Sequence, residues 1–196
     1  MTAREKKIYS QLRKSGALME GHFLLSSGLH SPDYVQCALS LKDPAKAAAL
    51  GAELKKIWKG PRPDLILSPA LGGLIIGHEV ARAFGVDFMF TERDNNIMAL
   101  RRGFSLPAGA KVLIVEDVFT TGRSTMEVFE TVKKARAEVL GALSVINRMG
   151  GRSFYFPSAS LLTLDLKVYS PDDCPLCAKG LPLVKPGSRT VVKRED

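Results

Sequence analysis

The chain has 196 residues, of which 45% are hydrophobic and 24% charged, proportions that are ordinary for a soluble globular protein with a core of its own. Three cysteines are too few for a disulfide framework, no apolar run reaches the roughly 20 residues that span a bilayer, and no apolar segment follows the charged amino terminus. We therefore expect a cytoplasmic protein without a signal peptide or membrane span. The net charge of +8 is compatible with nucleic acid or with an anionic small molecule as ligand, and charge alone does not decide between them.

Helix signals flank a polar segment in the first sixty residues. The Thr2–Glu5 pattern is a capping box and predicts a helix to about Lys14. Residues 21–32 are polar, contain glycine and serine and alternate poorly, which favours a hairpin or a loop. Asp43-Pro44 then predicts the start of a second helix, which should end at Gly60-Pro61 after an apolar face at helical spacing.

From residue 64 onward, strand and helix patterns alternate along the chain. The predicted strands are 64–68, 86–91, 112–115, 139–147 and 160–168, and the predicted helices between them include 73–84 and 124–137. Strands separated by helices of this length imply right-handed crossovers and a parallel sheet with both faces covered. We therefore predict an α/β fold, with a proline-rich tail from Ser170 onward that wraps the surface.

Two adjacent carboxylates stand at the centre of the most informative segment, residues 112–125. A buried strand leads into Glu116 and Asp117, and a turn and a helix follow, so the acids belong to the sheet edge where open α/β sheets bind ligands. The turn that follows has the features of a phosphate site, described below, and carboxylates beside a phosphate would repel it unless they had another task. That task is to accept hydrogen bonds from sugar hydroxyls, at about 1.5–3 kcal/mol each for a charged acceptor, and to stabilise a cationic ribose transition state.

The turn after these acids has the features of a phosphate site. At the start of the predicted helix, backbone N–H groups lack intrahelical partners and the helix dipole favours negative charge. Hydroxyls of Thr120, Thr121 and Ser124 add donors, and Gly122 lets the backbone curve around an oxyanion. We call residues 120–124 the phosphate cradle. It is not a Walker A loop, because the lysine that such a loop requires is missing.

This segment resembles the phosphoribosyl-pyrophosphate (PRPP) motif of type I phosphoribosyltransferases: four apolar residues, two acids, a hydrophobic pair and Thr-Thr-Gly. The resemblance implies one domain over residues 1–196, with a central parallel sheet flanked by helices and a small hood formed by residues of about 1–40 and 170–196. It also implies Mg²⁺ bound mainly through PRPP. The implied PRPP-binding residues are Arg93, Glu116, Asp117, Val118, Phe119, Thr120, Thr121, Gly122, Arg123 and Ser124.

Further segments are similar to the orotate phosphoribosyltransferases within this family. Residues 23–32 resemble the segment that helps cover the orotate pocket, 68–73 the loop that contacts pyrophosphate, and 174–189 the tail of one bacterial subgroup. Arg148 matches the arginine that contacts orotate, whose carboxylate suits the bidentate guanidinium, and Thr120 would also touch the base. The resemblance thus implies transfer of ribose 5-phosphate from PRPP to orotate, giving orotidine 5′-monophosphate and pyrophosphate on the route to UMP. It also implies that the enzyme is a homodimer.

The chain departs from the family in its mobile loop. Relatives carry lysine and histidine there, whereas residues 93–104 of this chain contain neither, and lysines are also absent at Ser26 and Gly72. We predict that Arg101 and Arg102 act in catalysis together with Glu116 and Asp117. The two arginines would neutralise the leaving pyrophosphate but not donate protons, since arginine stays protonated.

Two alternatives of different kinds remain open. The first is a phosphoribosyltransferase for another base, either a purine or a different pyrimidine. The second is a PRPP-sensing regulator that binds nucleic acid through its positive charge; such regulators often add a winged-helix domain, for which the roughly 20 residues before His22 are too few. We therefore expect small molecules, and not nucleic acid or a membrane, as the partners of this chain.

Metal-ligating residues give only a weak signal. His22, His30 and His78 have no metal-ligand spacing relative to one another, so each is expected to pack or to lie at the surface. Cys174-x-x-Cys177 is half of a zinc site, and the other cysteine is distant in sequence. The pattern therefore favours an ordinary loop with two thiols, and no protein metal ligand is predicted.

Overall fold

The computed structural model describes residues 1–25, 27–95 and 97–186. The strands are β1 (Leu18–Leu24), β2 (His30–Val35), β3 (Leu65–Pro69), β4 (Asp87–Asp94), β5 (Ile97–Leu100), β6 (Lys111–Phe119), β7 (Glu138–Asn147) and β8 (Ser158–Thr163). The helices are α1 (Ala3–Lys14), α2 (Ala38–Leu41), α3 (Pro44–Ile57), α4 (Gly73–Phe84), α5 (Arg123–Lys134) and α6 (Pro175–Ala178). The expectations for Ser26 and for the tail beyond residue 186 lie outside the described residues.

The main sheet has six strands in the order β5-β4-β3-β6-β7-β8, and every neighbouring pair is parallel except β4–β5. Residues 112–115 of the central strand β6 are fully buried because both faces are covered. Leu113 and Val115 pack with the residues of α3 and α4, whereas Val112 and Ile114 pack with those of α5. This alternation follows from the two-residue period of a strand and confirms the predicted α/β fold.

Local sequence signals also set the ends of the first long helices. α1 begins with the predicted capping box, in which the Thr2 hydroxyl accepts from the Glu5 amide and the Glu5 carboxylate accepts from the Thr2 amide. α3 begins at Pro44, with the Asp43 side chain accepting two backbone N–H bonds, as predicted. Among the described residues, no helix is long and apolar enough to cross a bilayer.

Two differences from the sequence prediction matter for the site. The sequence predicts that the central strand ends at Val115, but β6 continues to Phe119 alongside β7, so Glu116 and Asp117 lie inside the strand. The sequence does not predict the short strand β5, because four residues are too few to show a period; it turns back antiparallel on β4 and forms the sheet edge.

A second, two-stranded sheet carries the amino-terminal part of the hood. β1 and β2 form an antiparallel hairpin, which we call the hood hairpin, where the sequence favours a hairpin or a loop. The described part of the tail, together with the preceding residues 167–169, lies along it. His30 and Tyr169 exchange two backbone hydrogen bonds of 2.9 Å, and Val184 bonds to both Leu24 and His22 at 2.8 Å. The hood is therefore built from both ends of the described chain.

Candidate active site

Glu116 and Asp117 lie near the carboxyl end of the central strand β6, with Glu116 only 8% exposed. The Asp117 carboxylate accepts a hydrogen bond of 2.9 Å from the Val118 amide. Burial raises the pKa of Glu116 well above its ordinary value, and the neighbouring Asp117 charge raises it further. Burial also raises the pKa of Asp117. The strand thus holds two carboxyl groups with little water, so a hydroxyl-bearing ligand would find acceptors there that lack full hydration.

The phosphate cradle follows directly, at the point where β6 gives way to α5. Gly122 is the N-cap of α5 and has a φ of +78°, and a Cβ built on it would lie 2.9 Å from Phe154 Cε1. Both observations require glycine at this position. The Arg123 amide donates to Thr121 Oγ1 at 3.3 Å. The first turn of α5 thus lies directly at the end of β6, where the first backbone N–H groups of a helix lack intrahelical partners and can bind an anion.

The predicted capping of α5 is wrong. The sequence favours a capping box from Ser124 to Glu127, but α5 begins at Arg123 and its N-cap makes no side-chain hydrogen bond. The Glu127 carboxylate instead binds Arg93 from β4 and Arg123 Nε, the latter at 2.9 Å. Glu127 was not among the predicted site residues, yet it fixes two cationic side chains beside the cradle. No short-range pattern links it to Arg93.

Arg148 lies immediately after β7 and is joined to the PRPP-like motif by its backbone, since its amide donates to the Phe119 carbonyl at 2.7 Å. Its side chain is half-buried, and burial lowers the pKa of its guanidinium. Its buried Nε finds no acceptor among the described residues. Arg148 also lines a cavity of about 330 Å³ together with Arg152 and Asp165. A buried cationic donor without an acceptor beside a cavity suits an anionic ligand group.

The predicted loop arginines lie elsewhere. Arg102 forms a bidentate pair with Glu92 of β4, at 2.7 and 2.9 Å, and Arg101 Nη1 lies 3.8 Å from Asp94 Oδ1. Both arginines are exposed. Among the described residues, no hydrogen bond or ion pair joins either of them to the carboxylates of β6 or to the phosphate cradle. The structure thus brings the acids, the cradle, Arg93 and Arg148 together along the ends of the sheet, but not the two loop arginines.

Comparison with known proteins identifies this arrangement. The family model of the phosphoribosyl transferase domain matches residues 40–155, which include the acids, the cradle and Arg148. The chain belongs to the phosphoribosyl transferase family. Its fold is accordingly the type I phosphoribosyltransferase fold that the motif implies, with the PRPP-like motif on the central strand of a mostly parallel sheet.

Relatives within this family cover almost the whole chain. A protein of Thermotoga maritima named orotate phosphoribosyltransferase is 50% identical over 179 residues, 91% of this chain and 96% of its own length. One of Caldicellulosiruptor saccharolyticus with the same name is 45% identical over 188 residues, 95% of this chain and 98% of its own length. The crystal structure of orotate phosphoribosyltransferase from Aeropyrum pernix superposes with a TM-score of 0.64, at 25% identity, covering 80% of this chain and 93% of that one.

In this phosphoribosyl transferase, the loop between β3 and α4 closes onto the acids. A Cβ built on Gly72 would lie 2.6 Å from Asp117 Oδ1, so only glycine leaves that carboxylate in place. We expect Gly72→Ala to lower kcat on the order of 10- to 100-fold, because a displacement of about 1 Å at a reacting centre has effects of that size. Steady-state kinetics with a parallel measurement of the free energy of unfolding would test this. Unchanged kcat in a folded variant would show that the position of Asp117 is not critical.

The buried Glu116 makes the stability of the protein depend on pH. Its pKa in the folded chain is raised above the ordinary value of 4.5. Between the two values the folded chain binds more protons than the unfolded chain, so stability falls as pH rises through this window and is constant above it. Each tenfold difference in proton affinity between the folded and unfolded chains corresponds to about 1.4 kcal/mol of stability, which is lost once the pH has passed the raised pKa.

Glu116→Gln removes this ionisation. We expect the free energy of unfolding of the variant, relative to the unmodified protein, to increase from pH 4.5 toward neutral pH. Urea titrations at a series of pH values would measure the difference, in which the contributions of carboxylates distant from Glu116 cancel. Parallel stability profiles would contradict the raised pKa.

Proposed function

We propose that this protein transfers the ribose 5-phosphate group of PRPP to orotate, giving orotidine 5′-monophosphate and pyrophosphate in the synthesis of UMP. The observation that carries the orotate assignment is the half-buried Arg148, whose Nε lacks an acceptor among the described residues and whose amide is bonded to Phe119 of the PRPP-like motif. A base with a carboxylate would satisfy this guanidinium. Relatives at 45–50% identity that are named orotate phosphoribosyltransferase support the same choice over a purine enzyme or a nucleic-acid-binding regulator.

The chemistry follows from the order of groups along β6 and α5. The phosphate cradle would hold the 5′-phosphate through backbone N–H groups and hydroxyls. Glu116 and Asp117 would accept hydrogen bonds from the ribose hydroxyls. As the bond from the sugar to pyrophosphate breaks and the bond to orotate forms, the ribose becomes cationic, and the two carboxylates stabilise that charge more than they stabilise the substrate. Val118 and Phe119 contribute backbone contacts, and Thr120 would reach the base.

We further propose that PRPP binds with Mg²⁺, and the donor set of the chain fits this ion. In the described ranges, a group of three or more potential metal ligands occurs only in the hood, so the sugar site offers just one pair of carboxylates. Mg²⁺ dehydrates reluctantly and is commonly bound by one or two carboxylates plus substrate oxygens and water. When bound, the ion would neutralise charge on the pyrophosphate group.

Release of pyrophosphate also requires positive charge from the protein. We propose that Arg101 and Arg102 supply it, by exchanging Asp94 and Glu92 for the pyrophosphate oxygens when substrate is present. The exposed position of both pairs supports such an exchange, because exposed ion pairs contribute little stability. We also propose that the chain is a single domain located in the cytoplasm. It would form a homodimer, in which the loop that carries Arg101 and Arg102 reaches the site of the neighbouring subunit.

An assay with alternative bases tests the proposed function. With PRPP and Mg²⁺ present, we expect pyrophosphate release with orotate and none with uracil, adenine or hypoxanthine. Consumption of a purine alone would overturn the orotate assignment while leaving the family intact. Tight nucleic-acid binding with a steep dependence on salt, together with no turnover of any base, would instead support the regulator.

A further inference from the structure

Four side chains of the hood converge on one point. His22 belongs to β1, His30 begins β2, and Cys174 and Cys177 flank the start of α6 in the tail. His22 Nε2 lies 3.0 Å from His30 Nδ1, 3.5 Å from Cys174 Sγ and 3.7 Å from Cys177 Sγ, and Cys177 Sγ lies 3.3 Å from His30 Nδ1. One potential ligand atom from each residue lies within 4.8 Å of all the others.

Hydrogen bonding alone does not account for this cluster. His22 Nδ1 lies 2.8 Å from the Leu181 carbonyl, which can only accept, so Nδ1 carries the proton and Nε2 of the neutral ring presents a lone pair. That single lone pair faces His30 Nδ1 and two sulfur atoms at once. It can accept only one hydrogen bond, whereas a cation at the centre would be shared by all four groups. An imidazole that donates its other N–H to a backbone carbonyl is also the usual arrangement of a metal-ligating histidine.

The dimensions match those of one metal ion in particular. Tetrahedral Zn²⁺ with typical bond lengths places two nitrogens about 3.3 Å apart and a nitrogen and a sulfur about 3.6 Å apart. Four of the six ligand-to-ligand distances here are 3.0 Å between nitrogens and 3.3–3.7 Å between nitrogen and sulfur, and the other two are within 4.8 Å. Thiolate and imidazole ligands favour zinc and disfavour magnesium. Three of the four residues, His22, His30 and Cys174, are 3–5% exposed, and Cys177 is exposed.

We propose that His22, His30, Cys174 and Cys177 bind one Zn²⁺ in a tetrahedral structural site that fastens the tail to the hood hairpin. This replaces the expectation of separate packing roles for the two histidines and of a simple loop for the two thiols. His22 and Cys174 are 152 residues apart in sequence, so neither half shows metal-ligand spacing with the other until the tail pairs with the hairpin.

The proposed zinc site would also affect the pocket beside Arg148, through the strand β2. The strand β2 begins at His30 and continues to Asp33 and Tyr34, and the negative charge of Asp33 acts on Arg148. Backbone bonds at Tyr169 and Val184 hold the tail on either side of the four ligands. Zinc would thus fix the hairpin that carries these two residues, while taking no part in the reaction itself.

Metal content of the full chain tests the proposal. We expect protein produced in zinc-supplemented cells, purified without chelators and with a phosphine reductant, to contain about one zinc per chain by mass spectrometry. The double variant Cys174→Ser/Cys177→Ser should contain almost none. His78→Ala, which removes an exposed histidine outside the cluster, should keep its zinc. Little zinc in the unmodified protein, or undiminished zinc in the double variant, would overturn the proposal.

Two measurements on the unmodified protein cover the case in which the double variant fails to fold. After zinc removal under reducing conditions, added Co²⁺ should give the visible bands of a tetrahedral ion and a near-ultraviolet thiolate-to-cobalt charge-transfer band. The exposed Cys177 should be alkylated slowly in zinc-loaded protein and quickly after zinc removal. An octahedral cobalt spectrum, or equal alkylation rates, would rule the site out. None of these readouts depends on the enzyme activity, so the proposed function and the zinc site can fail separately.

Discussion

Replacing Asp117 by asparagine is expected to reduce kcat by at least about 100-fold. Hydrogen bonds to a charged acceptor contribute roughly 1.5–3 kcal/mol each, and two ribose hydroxyls bound by one carboxylate would together account for about 3–6 kcal/mol of the barrier. The neutral amide also removes negative charge that faces a cationic sugar in the transition state. Because our proposal assigns Asp117 to the ribose and Arg148 to orotate, the dissociation constant of orotate should change much less than kcat.

A matched control separates this effect from a general loss of structure. Asp87 is exposed at the opposite end of the same sheet, where β4 begins, so Asp87→Asn should leave kcat unchanged. Steady-state kinetics at saturating PRPP and orotate, with calorimetric titration of orotate, would measure both quantities. Equal turnover of Asp117→Asn and the unmodified protein would remove the ribose-holding role from this residue.

Replacing Arg148 by alanine is expected to abolish most of the affinity for orotate. Truncating one partner of a buried charged pair costs about 2–5 kcal/mol, which corresponds to a KM for orotate raised by roughly 30-fold to a few thousand-fold. The affinity for PRPP should stay nearly constant, because the cradle and the two carboxylates of β6 are untouched. Arg148→Lys should recover only part of the loss, since an ammonium group cannot make the bidentate contact.

The control for this variant is an arginine with no role at the site. Arg82 is exposed on α4 and pairs with Glu79, so Arg82→Ala should retain normal kinetics. Calorimetry with orotate and, separately, with PRPP would distinguish the two binding steps. Equal losses of affinity for both ligands in Arg148→Ala would show that the residue supports the whole site and does not select the base.

Most of the fold can be predicted from the sequence, because local patterns determine where its helices and strands begin. The capping box of α1, Asp43-Pro44 before α3 and the apolar run of β6 each depend on neighbouring residues alone, and all three elements begin within one residue of the predicted start. The extent of a strand is different, since it depends on the neighbouring strand. β6 continues past its apolar run because β7 pairs with it as far as Asn147, and nothing in residues 116–119 themselves indicates this.

The candidate site also has one part that the sequence predicts and another part that it does not. The acids and the cradle are nearly contiguous, so one motif predicts them. The start of α5 at Arg123 is set by its N-cap Gly122 and not by the Ser124–Glu127 pattern. Contacts between distant segments are invisible in the sequence. Glu127 with Arg93 joins α5 to β4, Glu92 with Arg102 joins β4 to the loop after β5, and the four hood ligands join the tail to the hairpin. Residues of opposite charge or matching ligand chemistry occur throughout the chain, and only the fold selects the pairs.

The backbone pairing of Val184 with His22, and of Tyr169 with His30, has a consequence for the order of assembly. A ribosome delivers the two hairpin strands before the main sheet, and the segment that pairs with them only after all six strands of that sheet. One edge of the hairpin therefore stays unpaired until then, and the pairing that completes it joins segments far apart in the chain. Such late, long-range closure is slow, so the nascent enzyme would gain its sheet well before its hood is complete.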